Sequence, residues 1–188
     1  MRLLPTPLAG LFVVEPTVFE DGRGWFMESF NEDAFAAALS AAGAAAPGRF
    51  VQDNHTASHA GVVRGLHHQL PPHAQGKLVR VAQGRSFDVS VDIRRRSPTF
   101  GRWFGVELSA ANRRQVWIPP GFAHGFLALE DNTHFLYKCS ARYAPGLERT
   151  IRWNDPALGI DWPLAGTAPR LSARDADAPT LAESELPA

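Results

Sequence analysis

Through the middle of the chain, apolar and polar residues alternate one by one. Phe87, Val89, Val91 and Ile93 alternate with Ser86, Asp88, Ser90 and Asp92. That period of two predicts a half-buried β-strand. Phe104, Val106 and Leu108 repeat the pattern, as do Val116 and Ile118, and Phe135, Tyr137 and Cys139 alternate with His134, Leu136 and Lys138. Turn residues at Gly84, Ser97-Pro98, Asn112 and Pro119-Pro120-Gly121 separate these runs. Many short alternating strands punctuated in this way predict an all-β sandwich or barrel.

The flanks are less regular. Leu11–Val14 and Thr17–Phe19 predict a strand pair broken at Pro16, with the character of an edge. Asp21-Gly22 and Arg23-Gly24 are turn chemistry, and Phe26–Phe30 predicts a further strand. Asn31-Glu32-Asp33 has the form of a helix N-cap, continued by Ala34–Ala42 and ended by Gly43 and Pro47, which predicts a short surface helix. Arg94-Arg95-Arg96 closes a strand and reads as a solvated edge guard rather than an anion site. Beyond Pro145 the strand signal fades, Trp153–Pro156 reads as a loop, and Leu171–Pro179 allows a short helical turn. With no internal repeat and no long linker, residues 1–188 are expected to form one domain, with a tail from about residue 163 that packs back on the barrel.

Composition narrows the function. Of 188 residues, 45% are hydrophobic and 20% charged, and the formal net charge is zero. That balance suits a folded, water-soluble domain and lacks the basic field of a non-specific nucleic-acid binder. An anionic ligand would have to be held by local arginines and lysines. The single cysteine, Cys139, has no internal disulfide partner, which fits a reducing cytoplasm. Met1–Pro7 is too short in its apolar run and too rich in proline for a secretory signal. No stretch is long and apolar enough to span a bilayer, so neither membrane nor nucleic acid is expected as a partner.

The densest chemistry lies in Gly61-Val62-Val63-Arg64-Gly65-Leu66-His67-His68-Gln69, followed by Leu70–Val81 with His73 and Lys77. Strands that only build a core do not need so many titratable groups, whereas a solvent-filled pocket inside a small barrel does. Jelly rolls of the cupin type often hold metal with a His-x-His pair, a nearby carboxylate and a later histidine. Here Gln69 replaces the second histidine and no carboxylate follows, so His67, His73 and His124 form an incomplete ligand set. Acid–base chemistry fits better. An imidazole is a base of near-neutral pKa, a cation such as Lys77 stabilises enolate charge, and a phenol such as Tyr137 returns a proton on the opposite face. Taken alone, Tyr137 reads better as a core tyrosine with a satisfied hydroxyl.

Phe19-x-Asp21-x-Arg23-Gly24-x-Phe26-x-Glu28, Gln52-Asp53-Asn54, Gly61–His67, Lys77–Val81, Ser97–Gly101, Ile118–Phe126, Leu136–Lys138 and Ile151–Pro156 together closely resemble the dTDP-4-dehydrorhamnose 3,5-epimerase family. The resemblance runs from about Phe12 to Leu181. It implies an all-β, cupin-like jelly-roll barrel with a few short peripheral helices, working as a homodimer without metal or cofactor. The implied reaction converts dTDP-4-dehydro-6-deoxyglucose to dTDP-4-dehydrorhamnose on the route to dTDP-rhamnose. It further implies that His67 is the base, Asp175 the carboxylate orienting it, Tyr137 the acid, and Lys77 the residue facing the C4 carbonyl. Arg23, Phe26, Glu28, Gln52, Asn54, Arg64, His124, Glu148 and Arg174 then match contacts to the nucleotide sugar. His68 departs from the family's usual aromatic residue, and Arg174 from its usual lysine. Arg64 and His67, three apart, would face opposite ways on a regular strand, so a kink or bulge at Gly65 is expected. Three alternatives stay open. The chain could act at carbon 3 or carbon 5 alone, it could be a metal-dependent cupin enzyme, or it could bind sugar nucleotides without catalysis.

Overall fold

The alternating stretches form strands in the computed structural model, which describes residues 1–187. In chain order these are β1 (Arg2–Pro5), β2 (Phe12–Glu15), β3 (Val18–Asp21), β4 (Gly24–Met27), β5 (Gln52–Ser58), β6 (Val63–Gln69) and β7 (Lys77–Gln83). They continue with β8 (Arg85–Asp92), β9 (Trp103–Ser109), β10 (Gln115–Ile118), β11 (Phe122–Ala128), β12 (Thr133–Cys139) and β13 (Glu148–Thr150). Two short α-helices, α1 (Glu32–Ala41) and α2 (Ala173–Ala176), and a single 3-10 turn at Pro145–Leu147 accompany them.

One sheet has six strands in the order β1-β2-β10-β7-β12-β5, the other five in the order β13-β6-β11-β8-β9. Pairing is antiparallel throughout both. Two such sheets, facing each other with chain-distant strands side by side, make a jelly roll. Between them lies a cluster that includes Val79, Val81, Val116, Phe126 and Phe135, with Tyr137 packed against it. A second cluster, Val63, Leu66, Val89, Val91, Leu127 and Ile151, lies on the outer face of the five-stranded sheet, where Leu158, Trp162, Leu181 and Leu186 of the tail cover it. On the outer face of the six-stranded sheet, α1 buries Phe35 and Leu39 against Phe12 and Trp117.

Several details differ from the sequence reading. β8 is buried on both faces, not half-buried: Ser86, Asp88, Ser90 and Asp92 are as inaccessible as the valines between them. Its alternation separates the apolar layer under the tail from the space between the sheets, where its polar row lies beside the Phe126 and Phe135 cluster. The Leu11–Val14 and Thr17–Phe19 strands do not pair, because Pro16 sends them apart. β2 sits inside the larger sheet between β1 and β10, while β3 pairs with β4 as a separate hairpin. The strand expected over Phe26–Phe30 stops at Met27, and Phe30 turns in to pack edge-on against Phe35 and Phe50. Arg94 is no free edge guard: it donates from Nε and Nη2 to the buried Asp92 and lies 4.6 Å from the Phe122 ring centroid. Asn31 caps α1 as expected, accepting the Ala34 N–H at 3.1 Å.

β6 carries the irregularity expected at Gly65. His67 pairs with His124 and Arg64 with Phe126, so three steps along β6 match two along β11. This is a β-bulge, and it brings Arg64 and His67 to one face. Gly65 has φ of 119°, and a Cβ there would lie 2.6 Å from Gly125 Cα and 2.7 Å from the His124 carbonyl oxygen. Gly125 faces the same limit, with Arg64 O at 2.7 Å from its would-be Cβ. Gly65→Ala should therefore destabilise the fold by about 3 kcal/mol through backbone strain and overpacking. In thermal denaturation that corresponds to a loss of roughly 6–12 °C for a chain of this size. An alanine variant melting with the parent protein would show that the approach is not needed.

Candidate active site

Leu66 belongs to the outer cluster, so the next residue, His67, faces between the sheets. Its cross-strand partner His124 faces the same way, with its ring centroid 5.9 Å from that of Phe135 in the opposite sheet. On that opposite sheet Tyr137, Val79 and Asn54 are adjacent in register, as are Cys139, Lys77 and Gln52. The alternation seen in sequence thus places His67 and His124 on one wall and Lys77, Tyr137, Asn54 and Gln52 on the other.

The tail completes this group. Two backbone splices hold it to the barrel. Val63 N–H donates to the Arg170 carbonyl at 3.0 Å, and Arg152 N–H to the Pro179 carbonyl at 2.7 Å. Between them Ser172 caps α2 and Asp175 is buried, only 3% exposed. Asp175 Oδ1 lies 2.6 Å from His67 Nε2 across 108 residues of sequence. Its Oδ2 accepts the Ser172 hydroxyl at 2.9 Å. The Nε2 hydrogen of His67 is thereby committed to Asp175, which leaves the Nδ1 lone pair as the basic site. Arg174 Nη2 sits 3.0 Å from the same Nε2, and its other terminal nitrogen pairs with Glu148. Glu148 Oε2 also accepts the Tyr143 hydroxyl at 2.7 Å.

These surroundings set the charge states. Burial pushes the His67 pKa below its ordinary 6.5; Asp175 opposes this, and the cations of Lys77 and Arg174 add to it. Burial works to raise Asp175, but the hydrogen bonds from His67 and Ser172 and the charge of Arg174 hold its carboxyl below the usual range. Burial raises the Tyr137 phenol, with the charges at Cys139 and Glu148 adding to it, so the phenol keeps its proton at neutral pH. Lys77 is lowered by burial, against the pull of Cys139, Glu148 and Asp88. An imidazole shifted toward its neutral form, a protonated phenol and a buried amine thus border the space between the sheets.

Other residues singled out in sequence fall in distinct places. Gln52 donates to Asn54 Oδ1 at 3.0 Å and accepts the Tyr143 N–H at 2.8 Å. Arg64 donates to Ser58 Oγ at 3.1 Å. His124 Nε2 lies 2.7 Å from the buried Asp88 Oδ2. His73 is exposed, and among the described residues no three His, Cys, Asp or Glu side chains are grouped as metal ligands. Arg23, Phe26 and Glu28 are not brought to this group within the chain. Arg23 pairs with Asp21, Phe26 is exposed on the hairpin, and Glu28 accepts from Asn31. His68 faces the tail, where its Nε2 meets the Glu185 carbonyl at 3.1 Å, and burial lowers its pKa to about 4. Sequence reasoning missed Asp88 and Tyr143, neither of which carries a local signal; Ser172 stands in the Ser172-x-x-Asp175 motif at the start of the expected helical turn.

A jelly roll whose interior sets a neutral imidazole against a phenol is suited to moving protons on and off carbon, the chemistry of isomerases that act on sugars. Residues 5–183 match the family model described as dTDP-4-dehydrorhamnose 3,5-epimerase. A protein of that name from Salmonella typhimurium is 50% identical, over 99% of this chain and 98% of its own. The Legionella pneumophila dTDP-6-deoxy-D-glucose-3,5-epimerase, solved in complex with dTDP-4-keto-L-rhamnose, superposes with a TM-score of 0.92 at 46% identity, over 99% of this chain and 97% of that one. A 3'-monoepimerase from Streptomyces bikiniensis, in complex with dTDP-quinovose, superposes at 0.88 with 37% identity, over 100% of this chain and 92% of that one. The chain belongs to the dTDP-4-dehydrorhamnose 3,5-epimerase family.

If His67 works as the neutral base, kcat/KM should hold at pH 7 and fall only as pH drops through a value below 6.5. Asp175 raises the His67 pKa, so Asp175→Asn should move this acid limb to still lower pH. It should also cut the rate by about 10²–10⁴-fold, the scale of impaired acid–base catalysis. A pH–rate profile of the variant that overlays the parent's would remove Asp175 from the chemistry.

Proposed function

We propose that this protein inverts carbons 3 and 5 of dTDP-4-dehydro-6-deoxy-D-glucose to give dTDP-4-dehydro-L-rhamnose, for dTDP-rhamnose synthesis. The observation that carries the reading is the 2.6 Å contact of His67 with the buried Asp175, set across the barrel from a protonated Tyr137. His67 Nδ1 takes the proton from the carbon next to the C4 ketone. The electron pair moves onto the ketone oxygen, where the Lys77 ammonium stabilises the enolate. Tyr137 then delivers a proton to the opposite face, and the centre is inverted. Asp175 fixes the imidazole tautomer and stabilises the imidazolium formed on the way. No step requires a metal or a cofactor.

Gln52, Asn54, Arg64, His124, Glu148 and Arg174 then line the route of the nucleotide sugar, with arginines reading diphosphate oxygens. In this reading the whole chain is one catalytic unit, with the tail as part of the site. Arg23, Phe26 and Glu28 belong to a partner's site. The hairpin that carries Arg23 and Phe26, and that Glu28 follows, exposes Phe19, Trp25 and Phe26 by 62%, 53% and 66%, an apolar surface that suits a homodimer in which each hairpin reaches the other copy. A lone free cysteine suits a reducing cytoplasm.

A second reading, epimerisation at one carbon only, has the monoepimerase neighbour in its favour. Solvent deuterium exchange, read separately at carbons 3 and 5, separates the two. Exchange and inversion at both carbons are expected, and exchange at one alone would establish the second reading. His67→Ala should abolish exchange and epimerisation together. Tyr137→Phe should retain exchange while losing most inversion, because the base remains. Light scattering at micromolar concentration should give twice the chain mass, and a monomer would refute the shared site.

A further inference from the structure

The β3–β4 hairpin has two unlike faces. Its register pairs Phe19 with Phe26 and Glu20 with Trp25, and paired residues in an antiparallel ladder share a face. On one face the Phe19 and Phe26 rings stack with centroids 6.5 Å apart and stand in solvent. The other face is gripped from outside the hairpin. Arg113, in the turn between β9 and β10, donates from Nη1 to Glu20 Oε1 at 2.8 Å. The same guanidinium lies 4.6 Å from the centroid of the Trp25 ring. Arg113 has φ of 55°, in the left-handed region, and its side chain is only 23% exposed. One buried-stemmed cation thus holds β3 by an ion pair and β4 by its aromatic face. Each contact is weak at a surface, but a two-stranded hairpin is marginal alone and takes its orientation from whatever it packs on.

We propose that Arg113 is a positioning residue. It sets the angle at which the hairpin offers Phe26 and Arg23 to the site of a second copy of the chain. This rests on the reading above that the hairpin completes the partner's site. Arg113 shares no hydrogen bond or ion pair with the groups around His67. Its loss should therefore weaken substrate binding and leave the chemical step alone.

The test measures kcat, KM and the dimer dissociation constant for Arg113→Ala, Arg113→Lys and the double variant Phe19→Ala/Phe26→Ala. Arg113→Ala should raise KM by about 3- to 10-fold, the scale of one exposed ion pair plus one exposed cation–π contact, with kcat within about twofold of the parent. Arg113→Lys, which keeps the charge, should recover part of the loss. A purely local structural role would lower thermal stability without this split between KM and kcat. Should Arg113→Ala fail to fold, Glu20→Gln combined with Trp25→Leu removes both grips from the hairpin side and must raise KM likewise. If the double phenylalanine variant raises KM while the loss of either grip does not, the role of Arg113 is overturned and the shared site stands. If none of the variants changes KM or dimerisation, both fail.

Discussion

A carboxylate buried at the edge of a barrel persists only if every oxygen is answered, because an unpaired buried charge costs several kcal/mol. Asp175 is answered from both sides. Ser172 donates to one oxygen, and its own Oγ accepts the Asp175 N–H at 3.2 Å. His67 meets the other oxygen. The tail, the five-stranded sheet and the imidazole are therefore tied by one hydrogen-bonded unit. The apolar cover that Leu158, Trp162, Leu181 and Leu186 lay over the sheet supplies the burial that gives the unit its strength. The backbone splices at Arg170 and Pro179 confine Asp175 further, since they flank it closely on both sides.

The position of His67 depends in turn on how closely two strands approach. β6 meets β11 with Gly65 against Gly125, and no side chain fits between them. The resulting bulge resets the alternation, so that Leu66 packs under the tail while Arg64 and His67 both face inward. Polar atoms follow the same division. The inward row of β8, which reads in sequence like a solvent face, supplies Asp88 to hold His124.

Burial reinforces the charge states that the residue types already favour at neutral pH. Desolvation keeps the imidazole neutral and the phenol protonated, and these are the forms a base and an acid need at neutral pH. Asp175 works against the desolvation of His67 and draws its pKa back toward the ordinary value. The hairpin stands apart from this interior, with its chemistry turned outward and its opposite face fixed by Arg113.

Much of the architecture was legible in sequence because a period of two is a local property, written into each strand by the two environments it separates. The strands β8, β9, β10 and β12 rest on that alternation, the cap at Asn31 on local side-chain chemistry, and the bulge at Gly65 on Arg64 and His67 lying three apart. Family motifs extended the reading to Asp175, which no local pattern connects to His67. Tertiary structure alone decided the rest. It made the polar face of β8 an interior, since alternation cannot tell a solvated face from a polar cavity. It separated β2 from β3, since Pro16 marks a break but not where each side goes. It buried His68 under the tail and set Arg94 against Ala9 O, because each of these depends on which distant segment arrives at a surface. Sequence determines which groups a strand can offer to either side; only the packing of the two sheets and the tail determines what meets them.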